Sequence, residues 1–154
     1  MRFMKVSRGQ FERDSSADWE GIVLPKRATR GSAGYDFFAP EAISLEPGGT
    51  VSVPTGIRAQ IDPGWVLMLF PRSGLGFKYR LQLNNTVGVV DQDYFDAENE
   101  GHIFIKLHNA GDRTLHIRAG EAFAQGVFLP FGLTDDDTAD APRRGGFGST
   151  DRKE

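Results

Sequence analysis

The 154-residue chain contains no cysteine. Neither disulfides nor thiolate metal sites can hold the fold, and a cytoplasmic setting is the expectation. Long apolar runs are missing as well. The longest, "WVLMLF" (65–70), is far too short to span a membrane. The opening "MRFMKVSRGQ" lacks the apolar stretch of a secretory signal. A basic excess is absent too. The net charge of −3 argues against a general grip on nucleic acid, so any bound anion must meet a local cluster. No Walker-type phosphate loop occurs, because "RGGFGST" has the wrong spacing and no Lys. There is no G-x-S-x-G nucleophile. His102, His108 and His116 lack zinc spacing and read as exposed strand residues. "RRGG" occurs once, which is no RNA-binding array.

What is present is the mix of an ordinary globular domain, 39% hydrophobic and 25% charged, long enough for a real core. Glycine-centred breaks at 46–49, 62–65, 109–112 and 118–121 separate short runs. Ile57, Ala59 and Ile61 alternate with Arg58, Gln60 and Asp62. Ile103, Ile105 and Leu107 alternate with His102, Lys106 and His108, and Leu115 and Ile117 with His116 and Arg118. "WVLMLF" is continuous, as a strand buried on both faces would be. The pattern predicts an all-β sandwich or barrel with one short helix after Ser73. Residues 9–21 read as a polar connection, which leaves a body of roughly 22–131. The acidic and then Gly-rich stretch 134–154 reads as a linker and mobile arm beyond a domain at 1–133.

Four segments could carry chemistry. In "NNTVGVVDQDYF" (84–95) an apolar run ends in carboxylates; if 87–94 is extended, Asp91 and Asp93 share one face and Tyr94 the other. That is either a solvated strand end or a carboxylate base beside a ligand platform, with Gly88 admitting a close neighbour. "FPRSGLG" (70–76) gathers Arg72, Ser73 and Gly74, which suits a phosphate or an ordinary helix start. Gln125 interrupts an apolar strand, as a satisfied core amide or a ligand contact. Asp36 follows a Gly-rich turn and either satisfies turn amides or supports catalysis.

Taken in order, "GSAGYDFFA", "PRSGLG", "NNTVGVVDQDY", "GEAFAQ" and "GGFGST" resemble the five motifs of the homotrimeric dUTPases, from about Leu24 to Thr150. The resemblance implies a jelly-roll-like β fold, a trimer with shared active sites, and hydrolysis of dUTP to dUMP and pyrophosphate. It implies Mg²⁺ held by the triphosphate rather than by protein ligands. By position Asp91 resembles the base that activates the attacking water, and Tyr94 the residue packed on deoxyribose. Asn85, Gly88 and the backbone at Val89 and Val90 would surround the uracil edge. Arg72, Ser73, Gly74 and Gln125 would contact the triphosphate, with Asp36 in support. Phe147 would stack on the uracil as the arm closes, with Gly148 giving close approach and Ser149 adding a hydroxyl to the phosphates.

Two features depart from that pattern. The arm arginine expected five residues before Phe147 is Pro142, with Arg143 and Arg144 the nearest cations, and "FDAEN" (95–99) lengthens the turn after Tyr94. A dUTPase-fold binding or regulatory protein, or a dCTP deaminase-type enzyme, would share much of this pattern. The segments 9–21 and 95–99 are the places where a regulatory role would show.

Overall fold

The computed structural model describes residues 1–141, 143 and 145. Its strands are β1 (Arg2–Lys5), β2 (Lys26–Arg27), β3 (Tyr35–Phe38), β4 (Ile43–Leu45), β5 (Thr50–Pro54) and β6 (Ile57–Gln60). They continue with β7 (Trp65–Pro71), β8 (Leu81–Leu83), β9 (Gly88–Val90), β10 (Phe104–Asn109), β11 (Leu115–Ile117) and β12 (Ala122–Pro130). Helix α1 spans Arg8–Asp14, α2 spans Ser73–Tyr79, and a 3₁₀ turn covers Gln92–Asp96. All-β is therefore the class.

The strands pair antiparallel in four small sheets, ordered β1-β6, β5-β10-β8, β11-β4 and β2-β3-β12-β7-β9. No closed barrel forms among the described residues. The expected apolar faces hold: Ile57, Ala59, Ile61, Ile103, Ile105, Leu107, Leu115 and Ile117 are all buried. Strand β7 departs from its expectation. It buries Leu67 and Leu69, while Val66, Met68 and Phe70 on the other face are only half-buried within one chain.

The segment read as a polar connection is the larger correction. Ser7 caps α1 by accepting from the Gln10 N–H at 3.1 Å, and Phe11 on that helix is fully buried. Strand β1 pairs with β6 from Arg2↔Gln60 to Lys5↔Ile57. Trp19 Nε1 donates to the Val6 carbonyl at 2.9 Å, and Lys5 Nζ sits 4.6 Å from the Trp19 ring centre. The folded body thus includes 1–21. About two turns of helix with a single large apolar residue give no period to detect, which is why the sequence pattern misses it.

The β8–β9 connection that shapes the candidate site joins two sheets. Strand β8 pairs with β10, and β9 pairs with β7. Thr86 takes the left-handed turn between them at φ 65°, with its N–H on the Leu83 carbonyl at 2.9 Å. Among the described residues, 131–141 form no strand or helix and are exposed.

Candidate active site

A cleft of about 450 Å³ opens between β9 and β10. Asn85, Gly88, Val89, Val90, Asp91 and Tyr94 all line it, together with Arg143. Strand β9 is an edge strand, paired only with β7 among the described residues, so its other edge offers backbone donors and acceptors. Asn85 and Val89 are exposed beside that edge. Gly88 admits the close neighbour expected there, and on this chain that neighbour is Leu69. A Cβ there would lie 3.0 Å from Leu69 Cβ, so the glycine lets β9 sit tightly on β7.

Extended backbone stops at Asp91, which corrects the expectation of a strand through 94. The Asp91 carbonyl accepts from the Tyr94 N–H at 3.2 Å and opens the 3₁₀ turn. The turn swings Tyr94 inward, where it is 6% exposed, and leaves Asp91 and Asp93 about half exposed. Both carboxylates meet one cation. Arg143 donates from its Nη2 to Asp91 at 2.5 Å and from its Nε to Asp93 at 2.8 Å, with its guanidinium 5.8 Å from the Tyr94 ring centre.

Tyr94 is anchored through its hydroxyl. Oη donates to the His102 carbonyl at 2.7 Å and accepts from Asn99 Nδ2 at 2.8 Å. Burial pushes its pKa up, so it stays protonated at neutral pH. His102 itself is fully buried, contrary to the exposed strand residue expected. The Gly56 N–H donates to its Nε2 at 2.8 Å, so its proton sits on Nδ1 and goes to Asp14 at 2.7 Å. Burial lowers the His102 pKa, while Asp14 works in the opposite direction. Sequence reading missed this dyad because its partners lie 88 residues apart. His108 is half-buried with Nδ1 3.2 Å from the Gly49 carbonyl, and His116 is exposed.

The second group of expected residues lies elsewhere on the chain. Arg72, Ser73 and Pro71 line a separate open depression at the start of α2, and Gly74 sits in the same turn. Arg72 Nε pairs with Asp36 at 3.1 Å, so Asp36 holds an arginine rather than turn amides. Gln125, in register with Asp36, donates through Nε2 to the Pro71 carbonyl at 3.2 Å. Its side chain lies over Gly34, where a Cβ would overlap Oε1. None of this second group lines the first cleft. Arg144, Phe147, Gly148 and Ser149 lie outside the described residues. Among the described residues no cluster of three or more His, Cys, Asp or Glu is arranged to hold a metal ion. Likewise, no described helix is long and apolar enough to cross a membrane.

An edge strand beside carboxylates and a buried tyrosine, with a guanidinium-bearing turn outside that cleft, defines an all-β protein with a polar cleft. Comparison with known proteins makes that class specific. The family model described as dUTPase matches residues 20–150. The deoxyuridine 5′-triphosphate nucleotidohydrolase of Lactococcus lactis subsp. lactis is 45% identical over 133 residues, covering 84% of this chain and 89% of that protein. The crystal structure of the Streptococcus mutans dUTPase superposes with a TM-score of 0.71 at 41% identity, covering 88% of this chain and 99% of that one. A mutant dUTPase of Staphylococcus aureus phage phi11, whose structure describes coordination of a structural Mg(II) ion, shares the fold at 22% identity. Its TM-score is 0.68, over 91% of this chain and 96% of that one. The chain belongs to the dUTPase family.

Proposed function

We propose that this dUTPase converts dUTP and water to dUMP and pyrophosphate in a site that neighbouring copies complete for one another. The observation that carries the reading is the cleft, where an unpaired strand edge, a carboxylate and a tyrosine face converge. Uracil would lie against β9, with Asn85 and the backbone at Val89 and Val90 offering complementary donors and acceptors. Base selection by steric fit and by unpaired polar groups discriminates more strongly than added attraction. The Tyr94 ring would lie against the deoxyribose and leave no room for a 2′-hydroxyl.

Asp91 would accept a hydrogen bond from the attacking water and draw off its proton as the oxygen approaches the α-phosphorus. The new P–O bond forms as the bond to the bridging oxygen breaks, and pyrophosphate leaves with that oxygen. Positioning and charge stabilisation provide most of the rate in such chemistry. Arg72, Ser73, Gly74 and Gln125 would hold the triphosphate, with Asp36 aiming Arg72. The place of Arg72 and Ser73 in a separate depression supports donation by another subunit, as does the half-buried outer face of β7. A homotrimer fits both observations. Mg²⁺ would arrive on the triphosphate and neutralise its charge, and no protein ligand set is needed for that.

Residues 1–133 would form the body and 134–154 the arm that closes the site. Arg143 would leave the two carboxylates for a phosphate when substrate binds, and Phe147 would cover the base, with Gly148 and Ser149 completing the closure. Absence of cysteine supports a cytoplasmic setting. Pyrophosphate release with Mg²⁺ from dUTP, dTTP, UTP and dCTP in parallel tests the whole reading. Release from dUTP alone is expected. Equal release from UTP would overturn the role of Tyr94, and release from dTTP that of the β9 edge.

A further inference from the structure

Packing against a sugar needs the ring of Tyr94 but not its hydroxyl, yet that hydroxyl makes two bonds. Its single proton goes to the His102 carbonyl, which can only accept, so the Asn99 contact runs from amide to oxygen. That orientation leaves Asn99 Oδ1 buried with no partner among the described residues. A side chain turned to solvent would avoid this cost. Asn99 sits in the stretch that lengthens the turn after Tyr94, and it does not line the cleft.

The stretch is clamped from several sides. Glu100 and Gly101 adopt left-handed backbone at φ 58° and 68°, folding the chain back on the 3₁₀ turn. A Cβ at Gly101 would lie 2.7 Å from the Tyr94 carbonyl oxygen and 2.8 Å from Phe95 Cα, so the approach requires glycine. The Glu100 carboxylate accepts from the Ser7 N–H at 2.7 Å and the Ser7 hydroxyl at 2.6 Å, at the start of α1. His102 is bound to Asp14 at the end of the same helix. The Arg58 guanidinium lies 3.6 Å from the Phe95 ring centre and donates to the Phe95 carbonyl at 2.5 Å. Both ends of α1 thus hold the segment that carries Asn99.

We propose that Asn99 is a positioning residue for sugar selection, holding the Tyr94 hydroxyl so that the ring cannot yield to a 2′-hydroxyl. The proposal rests on the reading of Tyr94 as the wall against the deoxyribose. Exclusion by contact works only when the wall is stiff, and a ring free to tilt would admit the larger sugar. Helix α1 and the 97–102 stretch then act together as the brace of that wall.

The test is the ratio of kcat/KM for dUTP over UTP in the full-length enzyme, for wild type, Asn99→Leu, Tyr94→Phe, the double variant and Tyr94→Ala. Asn99→Leu should lower the ratio about tenfold, chiefly through better use of UTP, and Tyr94→Phe should do the same. In the Tyr94→Phe background, Asn99→Leu should change the ratio no further, because the bond is already gone. A merely structural loss would lower both substrates together and would add to Tyr94→Phe. Should Asn99→Leu fail to fold, Tyr94→Phe removes the Asn99 bond together with the one to the His102 carbonyl and should lower the ratio at least as far. Wild-type ratios in folded Asn99→Leu and Tyr94→Phe, with a collapsed ratio in Tyr94→Ala, would overturn the positioning role and leave the sugar wall standing. A wild-type ratio in Tyr94→Ala would instead remove the wall itself.

Discussion

Asp91 stands at the mouth of the cleft, half exposed, with Arg143 bridging it to Asp93. A carboxylate in that setting can accept a hydrogen bond from a water and take its proton. Replacing it with Asn keeps the shape and removes the base. Asp91→Asn should lower kcat about 1,000-fold while the dUTP Kd by calorimetry changes only a few-fold. Normal turnover would remove Asp91 from the role. His102 supports a second prediction at this scale. Its folded pKa lies below its ordinary 6.5, so the unfolded chain takes up the proton more readily. The groups acting on it are Asp14, its hydrogen-bond partner, and Glu100. Stability should be complete above about pH 6.5 and fall as pH drops from there, until the folded histidine also titrates. Glu100 acts in a separate, more acid window, because the Ser7 bonds hold its pKa below 4.5. Urea midpoints from pH 8 to pH 5 should decline in wild type and stay flatter in His102→Gln.

At the scale of elements, α1 and the stretch after Tyr94 form one structural unit although 88 residues separate the dyad that joins them. The helix is too short to be stable alone, so tertiary contacts must hold it. Phe11 supplies the largest of these, fully buried in the core and close to the His102 ring. Phe11→Ala should destabilise the protein by about 3–5 kcal/mol, read from urea unfolding. A loss under about 1 kcal/mol would mean that α1 merely decorates the body. Strand β9 makes the complementary point. Its edge position leaves backbone groups facing the cleft, while Gly88 lets it seat against Leu69.

For the whole molecule the issue is whether one chain or several supply the proposed site. The base-side cleft and the Arg72 depression are separate on one chain, yet Arg143 reaches the carboxylates of its own chain. Complementation distinguishes these geometries. Asp91→Asn chains and chains ending at Asp140 should each be nearly inactive alone. Co-expressed, they should regain a substantial part of wild-type turnover, because an intact Asp91 and an intact arm can meet across subunits. No recovery in verified mixed oligomers would assign the arm to its own chain's site.

Much of the cleft was legible from residue order, since Asn85, Gly88, Asp91 and Tyr94 lie within ten positions and all line it. The buried strand faces were legible too, because period-2 alternation records which side meets the core. Neighbouring residues determine such features, so the sequence by itself determined the β class and the grouping of the cleft-lining residues. Tertiary structure alone decided the rest. It turned the polar-looking 9–21 region into a core-anchored helix, bent the chain at Asp91, and buried His102 against Asp14. It also directed Gly88 toward Leu69 and Asp36 toward Arg72. Each of these depends on partners distant in the chain, whose pairing becomes favourable only once the sheets have excluded water from the space between them.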